Sequence, residues 1–280
     1  MKKRIITNQT TNSFKNHLIE NEKATATIEK YIRDIGKFTE YVADKPIDKT
    51  RILEYKIYLE QTYAIRSANS MLAALNAFFR FLGWYDLCVK QFKIQKDAYC
   101  SEDKELTKEE YTALVRTAEQ KKNERLSLVV QTICGTGIRV SELQSITVEA
   151  VRRSEAIVSC KGKTRKIFIV KALQKKLIRY ANEQGITSGI LFVTKSGKPL
   201  NRSNIWREMK ELCKQAGVSP QKVFPHNLRH LFARTFYGIE KDIAKLADIL
   251  GHSNINTTRI YIITTGAEHQ RRMENMRLII

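Results

Sequence analysis

Ile157-Val158-Ser159-Cys160-Lys161-Gly162-Lys163-Thr164-Arg165-Lys166-Ile167-Phe168-Ile169-Val170 interrupts a chain whose apolar residues otherwise recur mostly at helical spacing. The runs 157–160 and 166–170 are rich in β-branched and aromatic residues and flank a basic, glycine-containing centre, so they read as the two strands of a hairpin with 161–165 between them. Downstream, helical periodicity returns from Leu173 to Tyr180, and Leu191-Phe192-Val193 leads into a turn at 195–198. Asn201 is placed to cap a helix through Ile205 to Ala216, followed by helical runs at Asn227–Tyr237, at Asp242–Leu250 and from Thr258 onward. Upstream, Thr107-Lys108-Glu109-Glu110 offers a capping box, and an apolar helix from Leu126 to Cys134 stops at Gly135-Thr136-Gly137, where glycine permits a tight turn. Residues 105–280 therefore read as an α+β domain, mostly helical with a small antiparallel sheet.

The first ninety residues have no strand signal. Ile28, Ile32, Ile35, Phe38 and Val42 fall on one face of a helix from Thr25 to Val42. Asp48 caps a second helix through Leu59, and a third runs from Ser67 to Leu82 before Gly83. With a short opening helix near Phe14 to Ile19, residues 1–90 read as a four-helix domain. Residues 91–104 have no clear period and read as the linker. The expected architecture is mostly α, in two domains.

Composition narrows the function. The 280 residues carry 49 Lys and Arg against 29 Asp and Glu, a net charge of +20. Both halves share the excess, with 17 basic against 11 acidic residues in 1–100 and 32 against 18 in 101–280. That distribution suits a protein that grips a polyanion with two lobes. No run of roughly 18 apolar residues spans a bilayer, and polar residues 7–12 follow the basic start where a signal sequence would be apolar. A cytoplasmic location without membrane association is expected. The five cysteines are scattered, with no Cys-x-x-Cys pair, and read as reduced thiols.

Chemistry concentrates near the C-terminus. His226, His230 and His252 lie close in sequence, and His226 and His230 are one helical turn apart. A metal site is disfavoured, because the intervening residues provide an arginine cation and no glutamate. A phosphate site uses more of the pattern. Arg139 and Arg229 supply guanidinium forks that bind phosphate oxygens bidentately and stay charged at any working pH. Tyr261 follows His252 by nine residues.

Three segments, Gly135-Thr136-Gly137-Ile138-Arg139-Val140-Ser141-Glu142-Leu143, Pro225-His226-Asn227-Leu228-Arg229-His230, and Leu250-Gly251-His252-Ser253 through Tyr261, resemble the three boxes of the tyrosine recombinase (phage integrase) family. The similarity is closest to simple two-domain Xer-type and transposon integrases. It implies an N-terminal core-binding (SAM-like) domain at 1–90 and a catalytic domain at 105–280 that ends in a subunit-exchange tail. By the same resemblance Arg139 and Arg229 bind the scissile phosphate, His226 assists proton transfer at the tyrosine, and His252 donates to a non-bridging oxygen. Tyr261 is then the nucleophile. The hairpin supplies the lysine that acts as general acid, assigned to Lys161 with Lys163 as the runner-up. Cys160-Lys161-Gly162 stands where the family has Gly-Lys-Gly, which leaves the register open. Glu142 is expected to be ion-paired, and His230 to pack or hydrogen-bond behind the site.

The implied reaction cuts and rejoins DNA through a 3′-phosphotyrosyl ester, with no cofactor, ATP or metal. The implied partners are a double-stranded DNA recombination site and three further copies of the chain, as a dimer on each site and a tetramer in all. An accessory directionality factor or a second recombinase, and association with the nucleoid, belong to the same expectation. Two rivals remain: DNA relaxation of the type IB topoisomerase kind, and a silent DNA-binding regulator.

Overall fold

The computed structural model describes residues 4–43, 45–94, 104–160, 163–194, 196–261 and 273–276, with the backbone alone at 160 and 163. The chain divides into two compact units, Met1–Lys96 and Asp97–Ile280.

The first unit contains α1 (Asn8–Glu20), α2 (Thr25–Val42), α3 (Lys49–Thr62) and α4 (Ile65–Phe81). The expected four helices are present. The opening helix is longer than its apolar core at 14–19 suggests, because a capping box between Thr7 and Thr10 starts it a turn and a half earlier. Asp48 caps α3, its carboxylate accepting from the Arg51 amide at 2.8 Å. The apolar faces meet in a core of Phe14, Phe38, Tyr55, Phe78 and Phe79, all nearly inaccessible to solvent. The aromatics of this unit are thus largely core.

Two asparagines on α4, seven residues apart, tie down the segment leaving this unit. The Asn76 side-chain amide donates to the Val89 carbonyl at 2.8 Å and accepts from the Val89 amide at 2.9 Å. Asn69 makes the same pair with Phe92, at 2.9 and 2.7 Å. Each amide takes the place of a neighbouring strand, satisfying backbone groups that helical packing leaves without a ladder.

The second unit begins with α5 (Lys108–Gln120), capped by the Thr107–Glu110 box, and α6 (Glu124–Thr136). A 3₁₀ turn (Val140–Ser145) and α7 (Val148–Arg152) lead to β1 (Glu155–Cys160) and β2 (Lys163–Phe168). Then follow α8 (Lys171–Glu183), α9 (Arg202–Ala216), α10 (Pro225–Glu240), α11 (Ile243–Leu250) and α12 (Ile255–Arg259). The mostly helical unit with a small antiparallel sheet matches the expectation, with three corrections. The strands reach further toward the tip than the apolar runs indicate: Val158 pairs with Arg165 and Cys160 with Lys163, so Arg165 lies in a strand and not in the turn. Cross-strand backbone pairing needs no apolar side chain, so it continues through 163–166. The helix read from Thr258 onward instead starts at Ile255, where the Asn254 side chain accepts from the Asn256 amide at 2.8 Å, and ends at Arg259. The short helix α7 carries no periodicity long enough to read from sequence.

The core of the second unit runs between α6 and α10 and beneath the hairpin, through Val129, Ile133, Ile138, Val158, Leu177 and Leu228. A smaller cluster of Ala233, Leu246, Leu250 and Tyr261 joins α10, α11 and the end of α12. Among the described residues no helix is long and apolar enough to cross a membrane.

The Asn76 clamp gives a stability test. Asn76→Ala leaves a buried amide and carbonyl of Val89 without partners, at about 1–3 kcal/mol for each unsatisfied group. The expected loss is about 2 kcal/mol or more for the first unit, measured by urea denaturation of the full chain. A loss below about 0.5 kcal/mol would show that water replaces the amide.

Candidate active site

The largest fully buried side chain is that of an arginine. Arg229, in the second turn of α10, is 1% exposed. An isolated charge buried this deeply costs several kcal/mol unless it is paired and hydrogen-bonded. Among the described residues no carboxylate pairs with it; two helix ends serve instead. Its Nη1 donates to the Gly137 carbonyl at 2.5 Å and its Nη2 to the Leu250 carbonyl at 2.7 Å. Gly137 caps the C-terminus of α6 and Leu250 is the last residue of α11, so both oxygens sit at the negative ends of helix dipoles. Burial, then the charge of Arg139, lowers the Arg229 pKa to about 10, which leaves it a cation at neutral pH. Its Nε is buried and has no hydrogen-bond partner among the described residues.

Both helix ends depend on glycine. Gly137 has φ +66°, and a Cβ there would run into the Phe232 ring. Gly251, directly after Leu250, has φ +66° as well, and a Cβ would lie 2.8 Å from Cδ of Arg165. Left-handed backbone at each position turns the chain so that the last carbonyls face the guanidinium.

Arg139 follows the first of these turns. Its Nη1 donates to Glu142 Oε1 at 2.9 Å and its own amide to Oε2 at 2.7 Å, while its side chain remains 31% exposed. Glu142 is ion-paired as expected, and to a second partner as well: Arg165 of β2 donates from Nη1 and Nη2 at 2.9 and 2.7 Å. Burial alone would raise the Glu142 pKa, but the hydrogen bonds from Arg165 and Arg139 outweigh it and hold the carboxyl below the usual range.

His252 stands one residue past the second glycine turn. Its Nε2 lies 3.0 Å from Arg229 Nη2, which can only donate, so Nε2 accepts. The proton then belongs on Nδ1, which donates to the Thr258 hydroxyl at 2.8 Å. Burial and the charges of Arg229, Arg139 and Arg165 push the His252 pKa down to about 4. Thr258, fully buried in α12, can also donate, so a switch of tautomer that frees Nε2–H for a phosphate oxygen leaves Nδ1 with a partner.

Tyr261 closes the pocket. It is 4% exposed, and its phenol oxygen is 3.4 Å from His226 Nε2. Its ring lies 4.3 Å from that of His230 and stacks on His252 at 5.5 Å and 18°. His226 is open to solvent on one side, yet partial burial and then Arg229, Arg139 and Arg202 lower its pKa. His230, beneath the phenol, is pushed down to about 4 by burial first and then by His226 and Arg229. The expected packing role of His230 is what its ring contacts describe. His226 and His230 touch ring to ring at 4.9 Å, but no third metal-binding side chain joins them among the described residues.

Of the six site residues expected from sequence, Arg139, His226, Arg229, His252 and Tyr261 are therefore brought into one cluster. Lys161 lies outside the described residues, and only the backbone of the alternative, Lys163, is described. The tail residues Leu278–Ile280 lie outside them too. Two participants were missed. Arg165 was read as part of a turn, although its place in the alternation of β2 is a usable signal. Thr258 has no sequence signal apart from its place between His252 and Tyr261.

Comparison with known proteins identifies the family of the chain. Residues 104–267 match the model of the phage integrase family, and residues 11–85 match that of the phage integrase N-terminal SAM-like domain. The tyrosine recombinase XerA of Pyrococcus furiosus is 29% identical over 288 residues, covering 100% of this chain and 98% of the relative. Among solved structures, that of XerA recombinase aligns with a TM-score of 0.55 at 25% identity, over 98% of this chain and 100% of its own. A lambda integrase (75–356) dimer bound to a COC′ core site aligns at 0.75 and 18% identity, over 92% and 95%. A lambda integrase tetramer bound to a Holliday junction aligns at 0.73 and 18%, over 90% and 76%.

The neutral histidines imply a pH dependence. An unfolded chain protonates histidine near 6.5, whereas folded His230 resists until about 4. The unfolded state therefore binds more protons in that window. The contribution of neutral His230 is fully present above the unfolded value and is lost as pH falls toward the folded one. His230→Phe should lose less stability than wild type between pH 7 and pH 4.5, measured as the shift of the urea midpoint of each. Equal shifts would mean that His230 is not held neutral by the fold.

Proposed function

The chain belongs to the phage integrase family of tyrosine recombinases and is a site-specific DNA recombinase, and we propose that it works through a 3′-phosphotyrosyl intermediate formed on Tyr261. The observation that carries this reading is the phenol of Tyr261 within reach of His226, beside a buried guanidinium with an unused N–H.

A phosphodiester repels nucleophiles through its charge and has a poor alkoxide leaving group. Catalysis requires donors aimed at the growing charge and a proton for the departing oxygen. Arg229 offers its free Nε, and Arg139, whose side chain is partly exposed, offers the donors not used by Glu142. His252 offers Nε2–H once a phosphate oxygen competes for Arg229 Nη2 and the ring changes tautomer against Thr258. His226, kept neutral by its surroundings, accepts the phenolic proton as Tyr261 attacks phosphorus. The hairpin lysine, Lys161 or Lys163, protonates the leaving 5′ oxygen. One ester replaces another, so the bond energy is retained for the return attack by a 5′-hydroxyl, and neither ATP nor a metal has a step to perform.

Double-stranded DNA carrying a recombination site is the proposed substrate. The net charge of +20 supports it, since phosphate contacts dominate affinity for a duplex. The solved relatives bound to DNA as a dimer and as a tetramer support assembly of this chain as a dimer on each site and a tetramer at the exchange step.

A nicked duplex that traps the covalent intermediate tests the reading. Wild type should give a DNA-linked band on a denaturing gel, and Tyr261→Phe should give none. Arg229→Ala should slow its appearance at least about 10²–10³-fold, the usual loss for one transition-state donor, and His226→Ala about 10²-fold. A covalent band from Tyr261→Phe would place the nucleophile elsewhere.

A further inference from the structure

We infer that Arg165 is a positioning residue that fixes the hairpin carrying the general-acid lysine to the phosphate pocket, so that its loss is felt at the leaving oxygen. The inference rests on the reading of a hairpin lysine as the acid, and the experiment separates the two.

Each donor nitrogen of Arg165 has a partner inside the protein, and Nη1 and Nη2 each keep a second N–H. Nη1 and Nη2 are both on Glu142, and Nε donates to the Ile249 carbonyl at 3.1 Å. Its side chain is 12% exposed and that of Glu142 4%. Arg165 thus joins three elements: β2, the 3₁₀ turn that follows Arg139, and the last turn of α11 ahead of His252. The fit against α11 is close, because a Cβ at Gly251 would stand 2.8 Å from both Cδ and Nη1 of Arg165. Glu142, gripped by Arg165 on both oxygens, also takes the amide and Nη1 of Arg139.

The hairpin needs such an anchor. It is a lone pair of strands, and two strands by themselves are marginally stable in water. Ala156, Val158 and Ile167 are buried on its inner face, while Ile157 and Phe168 on the outer face are 61% and 69% exposed. Arg165 pairs with Val158, and the ladder closes two pairs further on at Cys160–Lys163, about 7 Å along the strand. Arg165 is therefore the charged anchor nearest the end of the hairpin that bears both candidate lysines. A geometric shift of about 1 Å at a reacting group can cost on the order of 10²-fold in rate.

The test uses the leaving group. When the Tyr261 oxygen bonds to phosphorus and the P–O5′ bond breaks, the phenolic proton goes to the base and the 5′ oxygen takes a proton from the lysine ammonium. With sulfur in the 5′ bridging position the P–S bond breaks instead, and the thiolate leaves without a proton. Arg165→Gln and Arg165→Lys should slow cleavage of the ordinary duplex about 10²-fold, and the bridging-sulfur duplex should restore most of that loss. Lys161→Ala and Lys163→Ala are run beside them, with thermal unfolding and DNA affinity measured for every variant. Rescue of the Arg165 variants together with one lysine variant supports the inference. Rescue of a lysine variant but of neither Arg165 variant overturns it and leaves the general-acid reading standing. Rescue of neither lysine variant overturns that reading, and the inference with it. Failure of both Arg165 variants to fold also overturns it, since Arg165 would then be a folding residue.

Discussion

A guanidinium held inside the protein by peptide carbonyls is the constraint on which the rest of this unit depends. Arg229 is fully buried, and its cost is offset by charge-assisted hydrogen bonds to Gly137 and Leu250, each worth roughly 1.5–3 kcal/mol. Those carbonyls belong to the ends of α6 and α11, so one side chain ties together the two helix ends that Gly137 and Gly251 cap. Arg139 then follows directly from one stop and His252 from the other. Side chains drawn from distant parts of the chain are set against one another by a single buried charge.

The same charge governs the protonation of its neighbours. Imidazoles near a buried cation and out of water lose the incentive to bind a proton, and His226, His230 and His252 all move in that direction. A neutral His226 can take a proton, which a charged one cannot. A neutral His252 can accept from Arg229 at one moment and donate to an oxygen at another, with Thr258 as its partner in either state. Positive charge in the pocket therefore resides on guanidinium groups, which keep it across the working pH range, while the imidazoles remain free to move protons.

Glu142 sets the limit on that charge. Among the described residues it is the one carboxylate bonded to this set of arginines, and it binds Arg139 and Arg165 together. Without it two neighbouring cations would repel each other; with it Arg165 is neutralised within the protein and Arg139 keeps donors in reserve. The two arginines differ in exposure accordingly, 31% against 12%.

Much of this protein is decided locally and is legible as such. Helix faces such as Ile28, Ile35, Phe38 and Val42, caps such as Asp48 and Thr107, and stops such as Gly137 follow from spacing within a few turns. The residue types of the three boxes point to a phosphate and a tyrosine nucleophile in the same way. The hairpin was legible in kind but not in extent, because backbone pairing carries strands beyond their apolar runs. What only the tertiary structure decided are the relations across distance: that Arg229 is buried, bonded to residues 92 and 21 positions away; that Arg165 reaches 23 positions to Glu142 and 84 to Ile249; and that Arg229 sets the tautomer of His252, with Thr258 against the other ring nitrogen. Periodicity and capping act over one turn or one strand pair. The protonation and burial of a charged side chain depend on every group packed around it, and packing brings those groups from all along the chain.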